Sequence, residues 1–243
     1  MIKLFEVGGC VRDEILGVHT NDIDFTVVID RKDEDLSVDE GWFLMKHFLD
    51  TEGFKIFLET KDCFTIRAMF PKRHEHEGLV ADFVMARKEV GVIPGTRKPI
   101  LELGTLEDDL TRRDFTLNAL CKKEDGSIID LFNGVKDLED KVLRTPLDPM
   151  ITLMDDPLRL LRGLRFSVTK GFKLSHELFT AMLQPELLTK LKEVVSQERM
   201  REEVQKMMKH DTVHALKMIQ KIPGLLEVVF SNGMWLMPTT KQS

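Results

Sequence analysis

Tyrosine is absent from this chain, and cysteine occurs only at positions 10, 63 and 121. The first absence removes any phenolic nucleophile. The widely spaced, odd-numbered cysteines, with no CxxC, argue against a disulfide framework or a cysteine zinc site and fit a reducing, cytoplasmic setting. Long apolar runs are missing too, and none approaches the roughly 18–20 residues that cross a bilayer. The opening "MIKLFEVGG" has neither a long apolar core nor a small-residue cleavage site, so no signal peptide is expected. There is no internal repeat and no low-complexity tract. What remains is 243 residues, 42% hydrophobic and 31% charged, as expected of a soluble globular chain with one large domain or two small ones.

The net charge of −6 argues at first against a nucleic-acid partner, but it is unevenly spread. From Pro157 onward, 14 Lys+Arg face 8 Asp+Glu and give +6; the preceding residues, with 21 and 33, give −12. An acidic front and a basic back fit carboxylates that hold metals and a separate face that meets phosphates, and they also fit ordinary solvated helix surfaces.

Two textures follow one another. "IDFTVVID", "FKIFLE", "FTIRAMF" and "GLVADFVMA" read as strands, the last two joined by the charged turn "PKRHEHEG". "DRKDEDLSVDEG" reads as a solvated connection and "WFLMKHFLD" as a helix. "RKEVGVIPGTRKPILELG" has no clear period and reads as a mobile loop. "LNALCKK" and "SIIDLFNG" flank the hairpin signal "EDG", and "VKDLEDK" reads as a short helix. From Asp148 on, every segment has helical spacing, punctuated by prolines, and no strand is expected. The expectation is an α/β head over 1–146, with a small mixed sheet, followed by an all-α domain over 147–243. The methionines at 200, 207, 208 and 218 fit core filling. The terminal "GMWLMPTTKQS" fits a tail docking Trp235 or a partner contact.

The chemistry concentrates in a few stretches. In "GGCVRDEILGVHTNDIDF", Gly8 and Gly9 form a tight turn that lets backbone N–H groups approach a phosphate, with a helix starting near Val11. Arg12 supplies a planar cationic clamp. Asp22 and Asp24 share one strand face because side chains alternate, and two carboxylates facing an anion site can hold Mg²⁺ ions bridging to phosphate oxygens. Asp82, on another strand, is the candidate third carboxylate. Taken alone, a DxD is commonly a turn or a solvated edge; the order of the pieces is what favours chemistry. "RRDFTLNA" sets Arg112, Arg113, Asp114 and Asn118 just before a strand. In "DDPLRLLRGLRF", Asp156 and Arg159 stand at i, i+3, on one side of a helix. A carboxylate accepts from the amino group of adenine or cytosine and a guanidinium donates to the adjacent ring nitrogen, an order that uracil and guanine reverse. By spacing alone the same pair is an ordinary intrahelical ion pair. His74 and His76 fit a metal site or, more simply, a charged hairpin turn.

Taken in order, these stretches resemble the class II tRNA nucleotidyltransferases and the related bacterial poly(A) polymerases of the polymerase-beta-like superfamily. "GGCVRD" with "NDIDF" matches the metal and triphosphate motif, and "ARKEVGVIPGTRKPILELGTLEDDLTRRDFTLNAL" the flexible loop and ribose-sensing motif. "DDPLRLLRGLRF" matches the nucleotide-selecting motif, with Asp155 where the family normally has Glu, and "QERMREEVQKMM" and "HALKMIQKIPGLL" match the helical neck.

The resemblance implies that Asp22 and Asp24 are the catalytic metal ligands for two Mg²⁺ ions, with Asp82 at an acidic strand position. It places Gly8, Gly9 and Arg12 on the triphosphate, and Arg113, Asp114 and Asn118 by the ribose and nucleotide. Asp156 and Arg159 select the base, and Arg162 and Arg165 are further nucleotide-binding candidates. Relatives continue with body and tail domains that hold the tRNA elbow, whereas this sequence stops soon after "GLL"; head and neck alone are therefore expected, with an oligomer or second subunit able to supply the missing grip. The implied activity is template-independent addition of C and A, from CTP and ATP, to the 3′ acceptor end of tRNA. Addition of A only, of CC only or of short A tails remains open, as does a catalytically silent RNA-binding protein on the same scaffold.

Overall fold

The computed structural model describes residues 1–30, 36–92, 99–231, 233 and 238–240. It divides into two compact units, one of residues 1–113 with 117–134 and one of residues 114–116 with 135–243. The head unit runs β1 (Ile2–Val7), α1 (Gly9–Ile15), β2 (Ile23–Ile29), α2 (Val38–Thr51), β3 (Lys55–Thr60), β4 (Thr65–Met69) and β5 (Val80–Met85). It continues with β6 (Arg87–Val92), β7 (Pro99–Leu103), α3 (Leu106–Thr111), β8 (Leu120–Lys122) and β9 (Ile128–Asp130).

Alternation in "IDFTVVI" puts Ile23, Phe25, Val27 and Ile29 in the main core and leaves Asp24 half-buried on the other face. That strand is central in a seven-stranded sheet of order β3-β4-β5-β2-β1-β8-β9. β2 and β5 are parallel, while the other neighbours are antiparallel. The main core packs Phe25 flat on Phe83, with ring centroids 5.1 Å apart, under Trp42, Met45 and Leu49 of α2. Ser37 and Glu40 cap that helix reciprocally, which fixes where it starts. A smaller cluster of Val7, Leu110, Ala119 and Cys121 seats α3.

Two head elements differ from the sequence reading. Residues 87–92 and 99–103 pair as an antiparallel hairpin rather than a loop, with an irregularity between Glu89 and Gly91 that blurs the alternation. The middle of the expected loop, 93–98, lies outside the described residues, as do 31–35 of the acidic connection and Trp235. β1 went unrecognised because its charged residues, Lys3 and Glu6, mask a strand whose pairing with β2 decides its conformation.

The second unit comprises α4 (Gly134–Glu139), β10 (Val142–Leu143), α5 (Pro149–Asp155), α6 (Leu158–Lys170), β11 (Lys173–Leu174), α7 (His176–Met182), α8 (Pro185–Val194), α9 (Gln197–His210), α10 (Thr212–Gln220) and α11 (Leu225–Phe230), with Gly134 itself on the head side. It is helical apart from the two-residue pair β10–β11. Residues 135–146 group with this unit because Asp137 accepts from Thr116 and Arg144, and the Thr116 N–H donates to the Arg144 carbonyl. α6 buries Leu160, Leu161, Leu164 and Phe166, and packs against α9 and α10, where Met200, Met207, Met208 and Met218 are buried. Gly171 ends α6 in the left-handed region, at φ 73.

Candidate active site

In the head unit the glycine turn is built against arginine. Gly8 has φ 79, which calls for glycine, and a Cβ there would stand 2.8 Å from Nη1 of Arg113 and push that guanidinium aside. The Gly8 N–H donates to the Leu120 carbonyl and its own carbonyl starts α1 by accepting from the Arg12 N–H. Arg12, 7% exposed, forks onto Asp13 at 2.9 and 2.8 Å and donates to the Asn118 side chain at 2.6 Å. The expected triphosphate clamp is therefore engaged by Asp13 and Asn118.

Arg113 is anchored likewise. Asp109, 1% exposed, accepts from Thr26 at 2.6 Å, from Arg112 at 2.5 Å and from Arg113 at 2.9 Å. Arg113 also reaches the Asn118 carbonyl, at 3.4 Å. Burial pushes the Asp109 carboxyl up, but Arg113, Arg112 and the Thr26 hydroxyl outweigh it and hold the group below the usual carboxylate value.

On the carboxylate face, Asp24 stands opposite Asp82 in the parallel β2–β5 register. Burial raises the Asp24 pKa, the charges of Asp82 and Asp22 add to that, and Arg113 and Arg67 pull the other way. Asp22 is exposed just before the strand, its N–H donating to Thr20 Oγ1. Asp82 is held by Arg67 of β4, with both carboxylate oxygens engaged at 2.6 and 2.5 Å. Among the described residues, no three His, Cys, Asp or Glu side chains are gathered closely enough to hold a metal ion.

In the helical unit Asp114, 7% exposed, accepts from Arg162 Nε at 2.8 Å and from Nη2 at 2.6 Å. Burial works against the Arg162 charge, but Asp114 wins and raises its pKa. Arg165 is committed to the buried Glu203 of α9 at 2.5 Å and lies over the Phe166 ring, which makes it a strut of the helix packing.

Asp156 and Arg159 do not share a helix, contrary to the sequence expectation. The chain breaks between α5 and α6, since Pro157 pushes the preceding residue to extended geometry and Asp156 adopts φ −133, ψ 99. Its carboxylate accepts from the Leu158 N–H at 3.2 Å and from Arg199 at 3.2 Å. Arg159 donates to the Thr152 carbonyl at 2.9 Å and meets Asp155 at 3.2 Å. The pair thus projects from a helix start and from the residue before it, each member held by its own neighbours.

A family model described as the poly A polymerase head domain matches residues 4–144, more than half of the chain. The chain belongs to that family. Among curated relatives it is 34% identical over 212 residues to a tRNA nucleotidyltransferase of Schizosaccharomyces pombe, covering 83% of this chain and 42% of the relative. It is 32% identical over 239 residues to the A-adding tRNA nucleotidyltransferase of Aquifex aeolicus, covering 96% of this chain and 26% of the relative. The Bacillus stearothermophilus CCA-adding enzyme solved with CTP superposes with a TM-score of 0.71 at 25% identity, over 92% of this chain and 50% of that one. A tRNA nucleotidyltransferase solved with a primer tRNA and an incoming ATP analogue gives 0.68 at 27% identity, over 96% and 61%. This chain therefore spans about half or less of the curated relatives it matches.

For this member of the poly A polymerase head family, sequence reasoning missed Asp13, Arg67, Asp109 and Arg199. Arg67 left a signal, a lone cation amid the apolar residues of "FTIRAMF". Counting outward from the β4–β5 turn gives its partner, because Thr65 pairs Val84 and Met69 pairs Val80. His74 is packing material, its ring 4.6 Å from that of Phe70, and the His76 N–H donates to its Nδ1. Both line a cavity of ≈ 650 Å³ together with Phe25 and Phe54, which belong to the core side of the sheet rather than to the Asp24 face. None of the described helices is long and apolar enough to cross a membrane.

Proposed function

We propose that this chain is a template-independent nucleotidyltransferase that adds C and A, from CTP and ATP, to the 3′ end of tRNA. The observation that carries the reading is the carboxylate face of β2, where Asp24 stands opposite Asp82 with Asp22 one step before the strand, in the unit that also presents the Gly8–Gly9 turn. The similarity to a tRNA nucleotidyltransferase and to a CCA-adding enzyme solved with CTP supports the reaction class.

Asp24 on the strand and Asp22 just before it offer hard oxygen donors, which suit Mg²⁺, an ion that keeps several waters and takes one or two protein carboxylates plus phosphate oxygens. Bound there, it would supply Lewis-acid stabilisation of charge on the transferring phosphate and the departing pyrophosphate. The protein's own contribution is positional. The Gly8–Gly9 turn, with the Arg113 guanidinium close to Gly8, lets a triphosphate approach the backbone, with Arg12 oriented by Asn118 beside it. In the helical unit Asp114 and Arg162 sense the ribose, while Asp156 and Arg159 read the amino group and ring nitrogen shared by adenine and cytosine. Three free cysteines fit a reducing, cytoplasmic setting.

Incubating the protein with tRNA that lacks its terminal CCA, with each nucleoside triphosphate alone and then with CTP and ATP together, tests the reading on a sequencing gel. The expected products are two added C residues with CTP alone and a complete CCA with both. Incorporation of UTP or GTP at comparable rates, or no product at all, overturns it. The match to an A-adding relative over 96% of this chain favours one second reading, addition of the final A only. In that case ATP alone extends tRNA ending in CC, and CTP extends nothing.

A further inference from the structure

"FTIRAMF" spends the middle of an apolar strand on one arginine, and the register says what it faces. Arg67 of β4 pairs Asp82 of β5, and Asp82 pairs Asp24 of β2, so the three lie side by side across adjacent strands on one face of the sheet. Arg67 presents Nε and Nη2 in a fork, at 2.6 Å to one Asp82 oxygen and 2.5 Å to the other. Bidentate pairs of this kind are strong and directional. Both oxygens through which Asp82 would hold a divalent cation are thus turned to the guanidinium. This agrees with the lack, among the described residues, of a three-carboxylate group gathered closely enough to hold a metal ion.

We propose that Arg67 is a positioning residue that competes with a divalent cation for Asp82, leaving Asp22 and Asp24 as the pair that holds it. The proposal rests on the nucleotidyltransferase reading of this site and adds a device that sets how tightly the ion is held. Arg67 is half-exposed, at 47% of its side chain, so water can solvate it when it leaves Asp82. The clamp is therefore exchangeable rather than a fixed strut, and the Arg67 charge offsets part of the repulsion between Asp82 and Asp24 while no cation is bound.

The test is direct Mn²⁺ binding to the full chain, read from the electron paramagnetic resonance of the free ion with no nucleotide present. The variants are Arg67→Gln, Asp82→Asn, the two together, and Asp24→Asn as the control. The wild type should bind, and Asp24→Asn should lose most of that binding. Arg67→Gln should bind about fivefold more tightly, the upper end of what an exposed ion pair is worth. In the Asp82→Asn background the same change should have no effect, because the prize of the competition is gone. Unchanged or weaker binding in Arg67→Gln overturns the proposal. So does equal tightening with and without Asp82, which would mean that the arginine acts only through its charge at a distance. Wild-type binding that survives Asp24→Asn intact, or no binding in any variant, overturns the metal-site reading itself and the proposal with it.

Discussion

Replacing Asp109 by asparagine would show how much of the head unit depends on one buried charge. Asp109 is 1% exposed and accepts from Thr26, Arg112 and Arg113. Asparagine keeps the shape and an acceptor for Thr26 but withdraws the anion, leaving two guanidinium groups against a neutral amide. Breaking a fully buried ion pair costs roughly 3–5 kcal/mol. Arg112 and Arg113 keep 39% and 22% of their side-chain surface, so water restores part of their solvation. The expected loss is about 2–3 kcal/mol. Urea unfolding should show it as a lower midpoint at unchanged slope.

The pH dependence supplies a second check. The folded Asp109 carboxyl titrates below its ordinary value of 3.8: burial raises it, but the two arginines and Thr26 outweigh that. A group depressed in this way contributes stability that is fully present above its unfolded pKa and is lost as pH falls through the folded pKa. The gap between wild type and Asp109→Asn should stay flat from about pH 8 to pH 5 and close only below about pH 4. A loss under about 0.5 kcal/mol, the size of an ordinary surface change, or a gap that closes between about pH 7 and pH 5, would refute the account.

Asp24→Ala should abolish nucleotide addition while circular dichroism and the unfolding midpoint stay near wild type, because a single remaining carboxylate cannot hold the two-ion geometry; addition within a fewfold of wild type would remove Asp24 from the site. Arg159→Ala should erase most of the preference for CTP and ATP over UTP and GTP in a competition assay, a change of roughly 1–3 kcal/mol for a lost base-edge contact. Cys63 alone should react with a thiol reagent in the native protein near neutral pH: it is exposed, whereas Cys10 and Cys121 are buried and burial pushes the Cys121 thiol up to about 12. Two further thiols should appear on unfolding, and mass spectrometry of labelled peptides assigns them.

Period and punctuation are local properties, and what they specified was legible in the sequence. Asp24 falls on the face opposite the apolar core because side chains alternate along the β-branched run, whatever the strand pairs with, and Gly8 is dictated by a turn that needs positive φ. The helical stretches announced themselves by their spacing, and their methionines are buried. Partnership is not local. That Asp82 faces Asp24 on one side and Arg67 on the other follows from strand order and register, set when the sheet assembles. The hairpin of β6 and β7 escaped notice because its irregular pairing spoils the period that reveals a strand.

Asp156 and Arg159 show the same division within a few residues. Their spacing was read as one helix face, and Pro157 held a local warning of the break. That Arg199 comes to Asp156 from a helix some forty positions on was decided by tertiary packing. The sequence thus determined which groups carry charge and, within an unbroken strand or helix, which face each takes, because backbone geometry fixes that residue by residue. Which arginine neutralises which carboxylate was left to the tertiary structure, because ion pairs form between segments that only folding brings within reach.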